Sequence, residues 1–224
     1  MPGTLYIVAT PIGNLEDITL RAIRILKEAD LIACEDTRHT KKLLVNYGIV
    51  TPTTSYFEHN KLTKGDWILG QLQEGKNIAL VSDAGTPGIS DPGFNLVRSA
   101  VEKGIAVVPI PGPSAVAAAL SAAGLPTDRF LFLGFLSQKE GKKRRMLESV
   151  REEPTTLIFY ESPFRVRKTL ALLREVLGDR PAALAHELTK IHEGFIRGGL
   201  EELHNASDKL IEKGEWIILV QGRK

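Results

Sequence analysis

A chain of 224 residues with 43% hydrophobic and 25% charged side chains can bury one large core or two small ones, and this balance excludes a disordered or fibrous protein. The lone Cys34 excludes an intramolecular disulfide framework and five scattered histidines offer no zinc spacing, so a cytoplasmic setting with no bound metal is expected. A net charge of +2 neither demands nor excludes nucleic acid, while the absence of a basic-then-apolar leader or of an apolar run of ~18 residues argues against secretion and membrane spanning.

Thr4 to Ala9 reads as a buried strand closed by the tight loop Thr10-Pro11-Ile12-Gly13-Asn14. A helix follows, with Asp17 as its cap and Ile18, Ala22, Ile25, Leu26 and Ala29 on one face, and then a strand over Leu31–Cys34. Lys76–Val81 and Ile105–Ile110 are further β-prone runs, each preceded by helical sequence and followed by a Gly/Pro-rich loop. This alternation predicts a largely parallel sheet covered by helices. After Leu125-Pro126-Thr127 the pattern changes. Strands over Phe130–Leu133, Thr155–Tyr160, Ala182–Glu187 and Trp216–Val220 alternate with helices containing Lys142–Val150, Val166–Leu177 and Leu200–Lys213. The expected architecture is two α/β domains with mostly parallel sheets, 1–124 and 125–224.

Ser82-Asp83-Ala84-Gly85-Thr86-Pro87-Gly88-Ile89-Ser90-Asp91-Pro92-Gly93 stands directly after a buried strand. Its glycines permit close backbone approach and positive φ, its prolines remove alternative conformers, and ligands of open α/β sheets bind at carboxyl strand ends. Asp91 as helix cap with Pro92 at the first helical position accounts for those two residues but not for Asp83 to Gly88, which read as a ligand loop suited to a cationic or ribose-bearing molecule. Pro111-Gly112-Pro113-Ser114-Ala115 precedes a small-residue helix, Val116–Ala123, and reads equally as a rigid turn or a second ligand loop. Neither stretch is a dinucleotide or P-loop fingerprint, and no G-x-S-x-G or Cys-His arrangement occurs, so oxidoreductase and hydrolase readings lose their support.

Three polar clusters close strands: Glu35-Asp36-Thr37-Arg38-His39-Thr40, Tyr160-Glu161-Ser162-Pro163 with Ser162 as a helix cap, and His186-Glu187-Leu188-Thr189-Lys190. Each is readable as a solvated cap or as part of a cleft. Lys139, Lys142, Lys143, Arg144, Arg145 and Arg151 face only Glu140 and Glu148 in their segment, the strongest basic patch of the chain. It reads as a phosphate-binding face or as a charged helix face whose other side, Met146, Leu147 and Val150, packs inward.

Taken in order and spacing, ATPIGNLEDIT, ACEDTRHT, LVSDAGTPGISDPG, PIPGPSAV, GLPTDRF, GFL, TLIFYESPFR and ELTK resemble the tetrapyrrole-methylase family, in the branch that methylates a ribose 2'-oxygen of a cytidine in 16S ribosomal RNA. The resemblance covers nearly the whole chain. It implies a homodimer using S-adenosyl-L-methionine in a cleft between two α/β domains, with 16S rRNA or the small ribosomal subunit as partner. By this resemblance Ser82, Asp83, Ala84, Gly85, Thr86, Pro87, Gly88, Ser114, Ala115, Gly134, Phe135 and Leu136 would line the cofactor site. Pro11, Ile12 and Gly13 would border the substrate, joined by Arg38 and the basic run Lys142, Lys143, Arg144 and Arg145. The first loop, Ala9 to Asn14, departs from the G-x-G-P-G common in the wider family, which favours RNA over a porphyrin or corrin acceptor. Members of this branch commonly continue beyond the last core strand, whereas this sequence stops at Gly222-Arg223-Lys224, so an RNA-contacting tail is not assumed.

Methyl transfer from a sulfonium is an in-line displacement that depends on alignment, and a ribose hydroxyl needs a base or a nearby positive charge. Lys190, oriented by Glu187, is the first candidate set for this; Glu35, Asp36 and Arg38 form the alternative. A tetrapyrrole acceptor, or an RNA-binding protein that keeps the fold without turnover, are the competing readings.

Overall fold

The computed structural model describes residues 1–91, 93–207 and 213–223. The chain divides into two compact units, Met1–Ser114 and Ala115–Lys224.

In the first unit, strands β1 (Thr4–Val8), β2 (Leu31–Cys34), β3 (Thr53–Ser55), β4 (Ile78–Leu80) and β5 (Ala106–Ile110) form one sheet in the order β3-β2-β4-β1-β5, with every pair parallel. Helices α1 (Leu20–Glu28), α2 (Thr37–Asn46), α3 (Lys61–Gln73) and α4 (Gly93–Glu102) supply the crossovers. Side chains alternate along a strand, so the sheet feeds two cores. Val8, Ile32 and Ala79 pack with Ile25 and Leu26 of α1 and Leu43 and Leu44 of α2, whereas Leu5, Ile7 and Leu80 pack with Ile68 and Leu72 of α3 and Leu96 of α4. Burial on both faces is why these strands read as continuous apolar runs.

The predicted face of α1 is buried, but its cap is Thr19, whose hydroxyl accepts from the Ala22 amide at 3.1 Å. Asp17 instead ends a single 3-10 turn, Leu15–Asp17, capped by Asn14. Thr19 wins because its position places the hydroxyl three residues before an amide of the first turn. The three-residue strand β3 has no sequence counterpart in the reading above; it is too short for a period to register.

The second unit opens with α5 (Ala115–Ala123) and continues through β6 (Phe130–Phe135), α6 (Glu140–Ser149), β7 (Thr156–Glu161), α7 (Val166–Leu177), β8 (Pro181–His186), β9 (Gly194–Gly199), α8 (Leu200–Ala206) and β10 (Trp216–Val220). The sheet order is β6-β7-β10-β8-β9. Only β6 and β7 are parallel; the β7-β10, β10-β8 and β8-β9 pairs are antiparallel. The sheet is therefore mixed, not mostly parallel. The cause is the hairpin partner β9, whose sequence GFIRGG is half glycine and carries no strand period, and which returns the chain beside β8.

Helix α5 lies with this unit, ahead of the 124/125 boundary read from the sequence. It packs on β8 and β10, and Arg197 of β9 donates to the Ala122 and Ala123 carbonyls at its end, at 2.6 and 3.1 Å. Of the helix expected over Leu200–Lys213, Leu200–Ala206 is observed and residues 208–212 lie outside the described residues, as does Pro92, expected at the start of α4. Ser162 does not cap α7 through its side chain: its carbonyl accepts from Arg165 and Val166 at 2.9 and 3.2 Å. Among the described residues no helix is long and apolar enough to cross a membrane, and no group of metal-ligating side chains gathers.

Candidate active site

Parallel pairing places the loops after β1, β2, β4 and β5 along one carboxyl edge of the first sheet. Thr10 and Gly85 exchange backbone hydrogen bonds at 2.9 and 3.0 Å, and the Thr10 hydroxyl, 3% exposed, donates to the Ser82 carbonyl at 3.1 Å. Ser82 Oγ donates across the turn to the Ala84 and Gly85 carbonyls, and Thr86 Oγ1 ties the loop to the Pro113 carbonyl at 3.2 Å. The Ser82–Gly88 loop is thus latched to the loops after β1 and β5.

Two glycines set its shape. Gly85 has φ 80°, and a Cβ there would meet Ile12 Cγ2 at 3.4 Å; Gly88 has φ 87° and open space where its side chain would stand. Asp91 accepts from the Gly88 and Gly93 amides, both at 2.7 Å, so one carboxylate closes the loop and caps α4. Ile12, expected at the substrate side, is 8% exposed, and its Cγ2 is the atom a Cβ on Gly85 would meet. Pro11 is half-buried and Gly13 exposed.

The loop after β2 brings carboxylates to the same edge. Asp36 caps α2, accepting from the Arg38 amide at 2.8 Å, and this bond, aided by the Arg38 side chain, holds its carboxyl below the ordinary range. The Asp36 amide donates to Asp83 Oδ1 at 3.1 Å, joining the β2 and β4 loops. Arg38 is almost wholly exposed, 3.5 Å from Asp36. Glu35 differs: loss of hydration, then the nearby Asp83 and Asp91 carboxylates, push its carboxyl up.

In the second unit, the carboxyl ends of β6, β7 and β8 meet the start of β10. Glu187 and Thr189 occupy left-handed backbone, φ 48° and 66°, which non-glycine residues seldom adopt. Glu187 Oε1 accepts from Lys190 Nζ at 2.8 Å and from the Glu215 amide at 2.9 Å, and Lys190 also lies 3.3 Å from Glu215 Oε2. Partial burial works against both charges. Even so, the Lys190 ammonium and the Glu215 amide keep the Glu187 carboxyl below its ordinary range, while Glu187 and Glu215 keep Lys190 above its own. Lys190 is therefore a fixed cation and Glu187 a poor base. A Cβ on Gly214 would stand 2.6 Å from the Glu187 carboxyl group, which would have to shift.

Gly134, φ 61°, sits where the β6-β7 register shifts between Phe132 and Phe135, a bulge that re-aims the strand end. Phe135 is 60% exposed and edge-on to Tyr160, whereas Leu136 is buried in the core. Burial, then Glu215, pushes the Tyr160 phenol up to about 12. Among the described residues Thr189 Oγ1 and Trp216 Nε1 are buried without a hydrogen-bond partner.

The basic patch separates into buried and free charges. Lys143 is 7% exposed; its Nζ donates to Thr169 Oγ1 at 3.0 Å and lies 3.8 Å from Glu161, itself buried and also bound by Thr169, Arg165 and the Ser162 amide. Lys143 thus cannot reach a phosphate: it stands on the α6 face that carries Leu147 and Val150, and Glu161 compensates its charge. Arg144 is engaged by both Glu175 oxygens at 2.8 and 2.9 Å, leaving Lys142 and Arg145 as the exposed cations of the run.

The chain is 54% identical over 220 residues to a protein of Halalkalibacterium halodurans and 53% identical over 223 residues to one of Pseudomonas aeruginosa, both named ribosomal RNA small subunit methyltransferase I; each match covers 98% of this chain and, respectively, 76% and 79% of the relative. Among solved structures, uroporphyrin-III C-methyltransferase of Thermus thermophilus complexed with S-adenyl homocysteine superposes with a TM-score of 0.67 at 21% identity, covering 97% of both chains. Cobalt precorrin-4 methyltransferase, a cobalamin biosynthetic enzyme, does so with 0.71 at 20% identity, covering 97% of this chain and 94% of its own. These two share the fold. A family model described as Tetrapyrrole (Corrin/Porphyrin) Methylases matches residues 4–204, and with relatives half-identical across nearly its full length the chain belongs to that family.

Proposed function

We propose that this protein is an S-adenosyl-L-methionine-dependent methyltransferase acting on a ribose 2'-oxygen of a cytidine in 16S ribosomal RNA. The observation that carries the acceptor is the half-identity to proteins named for the small-subunit rRNA; the tetrapyrrole enzymes share the fold at about 20% identity. The 2'-oxygen and the cytidine rest on the sequence resemblance.

The first unit fits the cofactor. Gly85 and Gly88 permit close backbone approach, and carboxylates at the loop mouth suit a sulfonium, an amino group and ribose hydroxyls. When bound, S-adenosylmethionine supplies a methyl group activated by positive sulfur. The Ser82–Gly88 loop and Ser114 would hold it. Lys190, kept protonated by Glu187, would favour negative charge developing on the acceptor, and Lys142 and Arg145 would meet phosphates. As the resemblance implies, the protein would act as a cytoplasmic homodimer, checked by sedimentation.

The decisive experiment incubates the purified protein with methyl-labelled S-adenosylmethionine and small subunits from cells lacking the activity, then maps the label by nuclease digestion and mass spectrometry. Label on a ribose is expected. Label on a base, or only on a tetrapyrrole, overturns the acceptor. Cofactor binding without transfer would favour a non-catalytic RNA-binding role.

A further inference from the structure

If the acceptor is a ribose hydroxyl, its proton must leave as the oxygen attacks, so some group must receive it. Four carboxylates stand at the carboxyl edge of β2 and β4: Glu35, Asp36, Asp83 and Asp91. Three are engaged. Asp36 accepts from Arg38, Asp83 from the Asp36 amide, and Asp91 from Gly88 and Gly93. Among the described residues Glu35 alone of the four accepts no hydrogen bond and makes no ion pair.

Its place is nonetheless defined. Strand β2 lies beside β4, with Ala33 opposite Leu80 and the Val81 amide donating to the Ala33 carbonyl at 2.9 Å, so Glu35 emerges next to the start of the glycine loop. Cys34 before it is fully buried and Asp36 after it is fixed as a helix cap. The backbone is pinned on both sides and the carboxyl group is free.

We infer that Glu35 is the base that takes the proton from the acceptor hydroxyl, an inference that rests on the ribose reading above. In the step the O–H bond breaks, its oxygen forms a bond to the methyl carbon, and the carbon–sulfur bond breaks. S-adenosylhomocysteine leaves, and the proton passes to the Glu35 carboxylate and from its exposed end to water. Burial and the Asp83 and Asp91 carboxylates hold Glu35 above the ordinary carboxylate range, the direction that makes it a better proton acceptor. The groups facing Glu35 are Asp83 and Asp91 from the β4 loop and Asp36 and Arg38 on its own turn. Beyond Asp91 lie Tyr56 and Glu58, following β3. The Cys34 thiol and the Tyr56 phenol are both pushed up by burial and stay neutral.

The test measures ribose methylation against pH for the wild type, Glu35→Gln and Asp83→Asn, with cofactor affinity by calorimetry. Glu35→Gln should lower kcat roughly 10²- to 10⁴-fold while cofactor affinity is kept. Asp83→Asn keeps an oxygen for the Asp36 amide but removes a negative neighbour, so Glu35 ionises more readily and the acidic limb of the profile should move to lower pH. A Glu35→Gln enzyme with wild-type kcat, or an acidic limb unmoved by Asp83→Asn, overturns the inference; should Glu35→Gln fail to fold, the second variant decides. A wild-type protein that labels no ribose overturns the acceptor reading and the base with it, whereas ribose labelling with an unimpaired Glu35→Gln overturns the base alone.

Discussion

Gly85 turns on the difference between a hydrogen atom and a methyl group. Its φ of 80° is strained for any L side chain, and a Cβ would touch Ile12 and come near the Pro113 carbonyl. Gly85→Ala should cost about 1–2 kcal/mol and weaken cofactor binding, read by urea unfolding and calorimetry; unchanged values for both would remove the loop's strict need for glycine. The Glu187–Lys190 pair makes a pH-dependent contribution. A lowered Glu187 stabilises the fold above the ordinary carboxylate range and loses that effect as pH falls through its folded value; a raised Lys190 stabilises below the ordinary lysine range and loses it as pH rises through its own. Lys190→Ala should therefore destabilise by about 1 kcal/mol near pH 7, with the gap to wild type closing in strong acid and strong base. Thermal melts across pH check this, and a gap that stays constant would mean the lysine acts through packing. The sequence showed these residues as a polar strand end but not their state, because Glu215, whose amide binds Glu187 and whose carboxylate lies near Lys190, stands far along the chain.

Helix α6 shows the same limit one level up. Its run of four consecutive basic residues reads as one patch, yet Lys143 shares a face with Leu147 and Val150. Helical spacing alone carried that signal, and the charge run obscured it. Removing the Lys143 ammonium leaves Glu161 buried and short of a partner, so Lys143→Ala should cost about 3–5 kcal/mol. Lys142→Ala and Arg145→Ala, exposed on the other faces, should leave the melting temperature in place. A mild Lys143→Ala would show that Thr169 and Arg165 suffice for Glu161. Strands tell a parallel story: β1, β2, β4 and β5 were legible from apolar runs, while β3 and β9 were not. Three residues hold no period, and a half-glycine strand is stabilised by its neighbour β8, which a local pattern cannot reveal.

For the whole molecule, a net charge of +2 is too small to hold RNA by its overall field, so affinity must come from local cations. Removing Lys142 and Arg145 together should flatten the slope of log affinity against log salt by roughly 1–2, with the protein as stable as before; an unchanged slope would place the phosphate contacts elsewhere. The sequence by itself determined two α/β units, the helical faces and the glycine-proline loops at carboxyl strand ends. All of these follow from hydrophobic period and backbone stereochemistry, which act over a few neighbouring residues. Only the tertiary structure decided that the second sheet is mixed, that α5 belongs with the second unit, that Lys143 is buried, and that among the described residues Glu35 alone of the four carboxylates at the β2 and β4 edge is left without a partner while Glu187 is clasped. Strand direction, desolvation and ion pairing depend on residues tens of positions apart brought together by folding, and no local pattern contains them.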